Sequence, residues 1–182
     1  AFDQKKLSIS FSQTIRQILF FIIPATVFII ILRAQIIRVV LGTGNFNWSN
    51  TILTMNTLGF FALSLFARAT IPLLIRVFYA RHNSATPLYL GFFAVVVNIL
   101  LSFYFAPRLG VAGLALAFSL SSILNFILLW IAIYFSVGNL DINNILKSVL
   151  KFTVSAIGAG LVAQLMKLVV WPFIDMTKFS GV

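Results

Sequence analysis

The sequence predicts an all-α integral membrane protein, a polytopic bundle of five transmembrane helices. Three observations lead there. Of its 182 residues, 61% are hydrophobic and only 9% are charged, whereas a soluble domain runs about 45–50% apolar and about 25% charged. Mean hydropathy is +1.09. Five apolar stretches approach or exceed the length of about 20 residues that a bilayer crossing requires. Together these exclude a soluble globular domain, a disordered chain and a coiled coil. Continuous apolar runs such as residues 18–23 also exclude a β-barrel, which needs alternating segments of about ten residues.

The elements follow in order. Helix A is predicted over residues 17–32, helix B over 52–78, helix C over 88–106, helix D over 111–137 and helix E over 145–170. The breaks carry turn chemistry: Gly42-Thr-Gly-Asn-Phe-Asn, His82-Asn-Ser-Ala-Thr-Pro, Pro107-Arg-Leu-Gly and Gly138-Asn-Leu-Asp. Because every connection is short, successive helices are expected to be antiparallel neighbours in one bundle. Residues 1–16 have no compact apolar core ending in a small-residue cleavage site, so they are not a signal peptide. Phe2, Leu7, Ile9, Phe11 and Ile15 alternate there with polar residues. That pattern suits a cytoplasmic segment lying at the membrane interface, an ordinary loop being the alternative. Three regions result: an interfacial segment at 1–16, four spans within 17–137, and an additional span with a C-terminal tail over 138–182.

Thirteen Lys and Arg against three Asp give a net charge of +10. In a soluble protein this would suggest nucleic acid, but the basic residues are sparse and gather at helix ends, so no nucleic-acid partner is expected. In a membrane protein such charge reports orientation and contact with anionic lipid. Lys5, Lys6, Arg16, Arg76, Arg81, Lys147 and Lys151 fall on the N-terminal side, and Arg33, Arg38, Arg108, Lys167 and Lys178 on the other. The excess favours a cytoplasmic N-terminal segment and places Val182 outside. A start at Ala1, directly ahead of a span, reads as a piece of a larger transporter.

One charge lies deep inside a predicted span. Arg68 is sixteen residues after Ile52, about 24 Å along helix B. Arg at a bilayer centre costs about 2.5–3.5 kcal/mol on insertion scales, so it should face a cavity, a partner or a headgroup. Pro72, four residues on, lacks the N–H that would bond the Arg68 carbonyl, and so favours a kink or hinge. On a regular helix Thr54, Thr57, Phe61, Ser64, Arg68, Pro72 and Tyr79 share one face. Arg68, Ser64 and Thr57, with Asn98 of helix C, are the candidate substrate-binding residues. The alternative for Arg68 is snorkelling to headgroups. Gly91, Ala94, Asn98 and Ser102 on helix C, Gly113, Ala117, Ser121 and Asn125 on helix D, and the small residues from Ser155 to Ala163 on helix E form faces that let backbones approach. Packing seams are the expected reading for these.

Other chemistries fall away. There is no Glu or Cys, and Asp3, Asp141 and Asp175 lie outside the predicted spans, so no carboxylate pair is available for acid–base work. His82 sits alone in a loop. No catalytic residue, cofactor or metal site is expected.

The segment Arg76-Val-Phe-Tyr-Ala-Arg-His-Asn-Ser-Ala-Thr-Pro87 resembles the "raFYA..dtktP" segment of the MurJ/MviN family of lipid II flippases. Ile22-Ile-Pro-Ala-Thr-Val is similar to that family's "lPaa.g", and Gln35-Ile-Ile-Arg-Val-Val-Leu-Gly-Thr-Gly-Asn-Phe to its "pii.llf.rG.F". Val96-Val-Asn-Ile through Pro107-Arg-Leu-Gly-Val-Ala-Gly-Leu-Ala-Leu-Ala-Phe-Ser-Leu resembles its "vvN…l.p..G..GlAlA.sl". The four stretches lie in register over residues 16–125. Gln35 stands where the family usually has Pro, and Thr43 where it usually has Arg, both outside the predicted spans.

The resemblance implies the multidrug/oligosaccharidyl-lipid/polysaccharide exporter fold, with fourteen spans in two six-helix lobes plus two extra helices. Helices A to E would be spans nine to thirteen, and residues 17–137 would belong to the second lobe. The arginines and the acid usually tied to substrate lie in the first spans and span eight, so no principal substrate residue is carried over. The implied function is a flippase of the bacterial inner (plasma) membrane. It would move a polyprenyl-pyrophosphate-linked peptidoglycan precursor by alternating access, with membrane lipids and the remaining N-terminal part of the same transporter as partners. Helix E would help form a groove for the lipid tail. An exporter of another lipid-linked oligosaccharide, a non-transporting membrane scaffold and a lipid-processing enzyme are the competing readings, the enzyme disfavoured by the absence of intramembrane acids and histidines.

Overall fold

The computed structural model describes residues 4–41, 48–137 and 142–170, all of them helix or tight turn. The predicted A–B and D–E turns, the C-terminal tail and all three aspartates lie outside the described residues. Six α-helices occupy the rest: α1 (Gln4–Leu41), α2 (Trp48–Leu63), α3 (Leu65–Ala80), α4 (Ala85–Leu109), α5 (Val111–Val137) and α6 (Ile142–Val170). Taking α2 and α3 as one interrupted span, five stretches are long and apolar enough to cross a membrane: Ile9–Val40, Asn50–Ala80, Ala85–Leu109, Val111–Ser136 and Asn144–Met166.

Helix A is much longer than expected. It runs without a break through Gln4–Leu41, carrying Pro24 inside it, a length of about 57 Å against a hydrocarbon core of about 30 Å. The polar residues of its first turns hide the helix from a hydropathy argument, yet their apolar neighbours sit on one stripe. Phe11, Ile15 and Leu19 are buried with Leu74, Val77 and Phe78 of α3, Leu129 and Ile133 of α5 and Ile145 of α6. Residues 4–16, expected to precede helix A, are thus continuous with it, and Phe11 and Ile15 among them belong to the bundle core.

The neighbour relations also differ from a simple serial order. α5 is the hub, packing on α2, α3 and α4, while α1 packs on α2, α3 and α6. α3 and α4, though consecutive, touch only sparingly, and the principal neighbour of α6 is α1 rather than α5. Small residues explain both close pairings. Gly113 at the start of α5 lies so near the Phe105 carbonyl that a Cβ there would collide with backbone. Gly160 of α6 takes the Val27 and Ile31 side chains of α1, its missing Cβ position 2.9 Å from Val27 Cγ1. Ala156 is buried beside it, whereas Gly158 faces open space.

The turn between α3 and α4 accounts physically for the Arg76–Pro87 segment. His82 has φ +56°; its N–H bonds the Tyr79 carbonyl and the Asn83 N–H bonds the Phe78 carbonyl. That pair of bonds is the Schellman closure of a helix C-terminus, with His82 in the position usually taken by glycine. Asn83 then caps the next helix: its Oδ1 accepts from the Thr86 N–H at 3.1 Å and its Nδ2 donates to Thr86 Oγ1 at 2.9 Å. Pro87 occupies the first turn of α4, where its missing N–H costs nothing.

Candidate functional site: a cationic cavity between α3, α4 and α5

Helix B is interrupted at Ser64, about two turns ahead of Pro72. The Ser64 N–H bonds the Phe61 carbonyl, three residues back, at 3.1 Å, and the Arg68 N–H bonds the Ser64 carbonyl at 3.0 Å. The tightened turn shifts the helical phase. Phe61 before it and Arg68 after it both meet the Phe118 ring of α5, so these members of the predicted face still point to one neighbour.

The structure brings together only some of the predicted site residues. Arg68, Pro72 and Asn98 come together at one open cavity of about 370 Å³, bounded also by Gly91, Phe118, Ser122 and Asn125. Ser64 and Thr57 are not among its lining. Ser64 is fully buried and its hydroxyl donates to the Phe61 carbonyl at 3.0 Å. Thr57, on α2 before the interruption, donates to the Leu53 carbonyl at 2.7 Å. Pro72 lies within α3, which continues through it to Ala80.

Arg68 stands about 27 Å from the Asn50 end and about 18 Å from the Ala80 end of its span. Its Cζ lies 4.4 Å from the centroid of the Phe118 ring. Such a cation–π contact contributes about 0.5–2 kcal/mol depending on desolvation, offsetting part of the insertion cost. Asn98 Nδ2 donates to Ser121 Oγ at 3.1 Å, tying α4 to α5 across the cavity floor. Ser121 and Ser122 hydroxyls donate to the Phe118 carbonyl at 3.0 and 2.7 Å. The Asn125 Oδ1 is buried with no hydrogen-bond partner. Gly91 leaves the wall open, with nothing within 4 Å of its missing Cβ. Among the described residues no carboxylate faces the cavity, because none is a carboxylate at all. They also hold no cluster of metal-ligating side chains. The arrangement presents hydrogen-bond donors and one fixed positive charge to whatever occupies the space.

Two further features were not anticipated. Arg33, inside the apolar run Ile9–Val40, lays its guanidinium on Gly59 of α2, where a Cβ would stand 2.8 Å from Nη1. Its place in that apolar run was the available signal. A second cavity of about 480 Å³ lies between α1, α3, α5 and α6 and is almost wholly apolar, bordered by Ile23, Phe66, Phe126, Trp130, Leu146 and Val149. It can be seen only once α6 is known to pack on α1.

Comparison with known proteins gives the lineage of the chain as a whole. The profile of the family described as "Lipid II flippase MurJ" matches residues 1–180. A protein of Rhizobium tropici named "Probable lipid II flippase MurJ" is 37% identical over 123 residues, 68% of this chain and 23% of that one. "Lipid II flippase MurJ" of Thermosipho africanus is 30% identical over 145 residues, 80% of this chain and 30% of that one. A solved structure titled "Lipid II flippase MurJ, inward closed conformation" superposes with a TM-score of 0.75 at 26% identity, covering 94% of this chain and 39% of that chain. The chain thus spans about a quarter of the length of the curated relatives it matches, and five spans in 39% of the solved chain agree with a fourteen-span whole. By sequence and by fold alike, the chain belongs to the lipid II flippase MurJ family.

Proposed function

We propose that this chain is part of a flippase that carries a polyprenyl-pyrophosphate-linked peptidoglycan precursor, lipid II, across the bacterial inner membrane. It supplies the last four spans of the second lobe and one additional span, and the remainder of the transporter supplies the opposing lobe. The observation that carries the reading is Arg68: a cation within an apolar span, held over Phe118 at an open cavity shared with Asn98, Ser122 and Asn125, with no carboxylate among the described residues to neutralise it. An anionic headgroup crossing the bilayer loses its hydration, and a fixed guanidinium with neighbouring amide and hydroxyl groups replaces part of it. Asn98 and Arg68 are the proposed headgroup contacts. Pro72, which leaves the Arg68 carbonyl without a helical donor, is the proposed point of flexure. The activity is transport by alternating access, with membrane lipids surrounding the bundle.

The test uses the full-length protein in lipid nanodiscs, with an undecaprenyl-pyrophosphate-linked saccharide and a cationic dye as probes. Arg68→Ala should weaken binding of the pyrophosphate lipid about 10- to 100-fold, the range expected for losing a charge-assisted hydrogen bond. Arg68→Lys should keep part of the affinity, since a point charge survives but the two-pronged donor does not. Binding of the dye without binding of the pyrophosphate lipid would reject the assignment. Equal affinity of wild type and Arg68→Ala would remove Arg68 from it.

A further inference from the structure

The interruption at Ser64 takes from the Phe60 carbonyl its regular donor. In a regular helix the Ser64 N–H would bond the Phe60 carbonyl; here it bonds the Phe61 carbonyl instead. The Phe60 carbonyl is taken up from another helix: Ser119 Oγ of α5 donates to it at 2.6 Å. Ser119 is buried, and its oxygen also lies 3.3 Å from Ser64 Oγ, itself fully buried. A carbonyl left unpaired within a membrane costs several kcal/mol, so this single hydroxyl compensates directly for the broken turn. The preceding residue completes the arrangement. The Phe118 ring meets Phe61 of α2 edge-on, centroids 5.4 Å apart, and carries the Arg68 guanidinium of α3 at 4.4 Å. Two consecutive residues of α5 therefore hold both sides of the interruption.

We propose that Phe118 and Ser119 form a clamp on the broken span, and that Ser119 is a positioning residue for Arg68. The hydroxyl occupies the Phe60 carbonyl in place of the Ser64 N–H and so maintains the broken turn just ahead of Arg68, which sets how Arg68 meets the cavity. Release of the hydroxyl lets the Ser64 N–H return to the Phe60 carbonyl. The span then straightens, and Arg68 rotates relative to the α4 and α5 walls. In that exchange the Ser64 N–H passes from the Phe61 to the Phe60 carbonyl, and the Ser119 hydroxyl gives up its bond to the Phe60 carbonyl.

The structural half is tested without any ligand. Full-length protein lacking other cysteines carries spin labels at Leu53→Cys on α2 and Tyr79→Cys on α3, both at exposed positions, and the interlabel distance is measured by double electron–electron resonance. Ser119→Ala should lengthen or broaden the distribution, and Ser119→Thr, which keeps the hydroxyl, should restore it. Ser119→Cys, close to serine in size but a weak donor, replaces the alanine variant if that variant does not fold. An unchanged distribution in a folded variant overturns the clamp.

The functional half rests on the reading of Arg68 above. Ser119→Ala should weaken binding of the pyrophosphate lipid about threefold to tenfold, yet cause no further loss in an Arg68→Ala background. Losses that multiply would mean that Ser119 acts elsewhere and overturn its positioning role. If the wild-type protein does not bind the lipid, the proposed function fails, while the distance measurement still decides the clamp.

Discussion

At the scale of single residues, the side chains that matter are held by backbone they do not belong to. His82 illustrates the cost of such a position. An L-residue in the left-handed region pays about 1–2 kcal/mol, and glycine avoids this while giving back about 0.4–1 kcal/mol through its more flexible unfolded state. His82→Gly should therefore stabilise the protein by about 0.5–1 kcal/mol, read as a higher midpoint in denaturant unfolding in detergent. A lower midpoint would mean that the exposed imidazole contributes more than its strain costs. The sequence marks His82 only as a loop residue, because a positive φ leaves no trace in periodicity. Arg68 was legible, since a lone cation in an apolar run stands out on composition. Its partnership with Phe118 was not, because that contact depends on the packing of α5 against α3.

At the scale of elements, helix D was placed to the residue and helix C to within three residues at each end, because Asn83, Pro87 and Gly110 are strong punctuation. Helix A was underestimated because its first turns mix Lys, Ser and Gln with the buried Phe11 and Ile15. For helix B the sequence suggested a kink at Pro72; the structure adds an interruption at Ser64, where neither proline nor glycine marks the chain and a local window gives no sign. The joint between α4 and α5 is a stricter requirement. Gly110 has φ +59°, and a Cβ on Gly113 would stand 2.7 Å from the Phe105 carbonyl carbon and 3.2 Å from the Ala106 nitrogen. Those are backbone atoms and cannot yield as a side-chain tip would. Gly113→Ala should destabilise the protein by about 1–3 kcal/mol. Gly158→Ala, which meets open space, should be neutral or mildly stabilising by helix propensity. Equal midpoints for the two variants would show that the α4–α5 joint tolerates separation.

At the scale of the whole molecule, the large apolar side chains face outward: Phe103 is 77% exposed, Phe135 81% and Phe21 71%. In lipid the interior gains no hydrophobic advantage over the surface, and helix association relies on close packing and interhelical hydrogen bonds, here Asn98 to Ser121 and Ser119 to Phe60. The charge distribution sets orientation. Single cysteines at Ser84 and Asn139 should react with membrane-impermeant reagent only from the cytoplasmic side, and those at Asn47 and Pro107 only from outside. Labelling of Ser84 from the periplasm would invert the topology.

The pairing of α1 with α6 bears on the order of assembly. About 100 residues separate the end of α1 from the start of α6, so at a synthesis rate of 5–20 residues per second α1 waits roughly 5–20 s for its partner. During that interval the Val27 and Ile31 side chains are without the Gly160 surface they will meet. The first and last helices of the described bundle thus close it as a clasp, and a ribosome stalled before α6 leaves that clasp open on a chain whose other helices have already met.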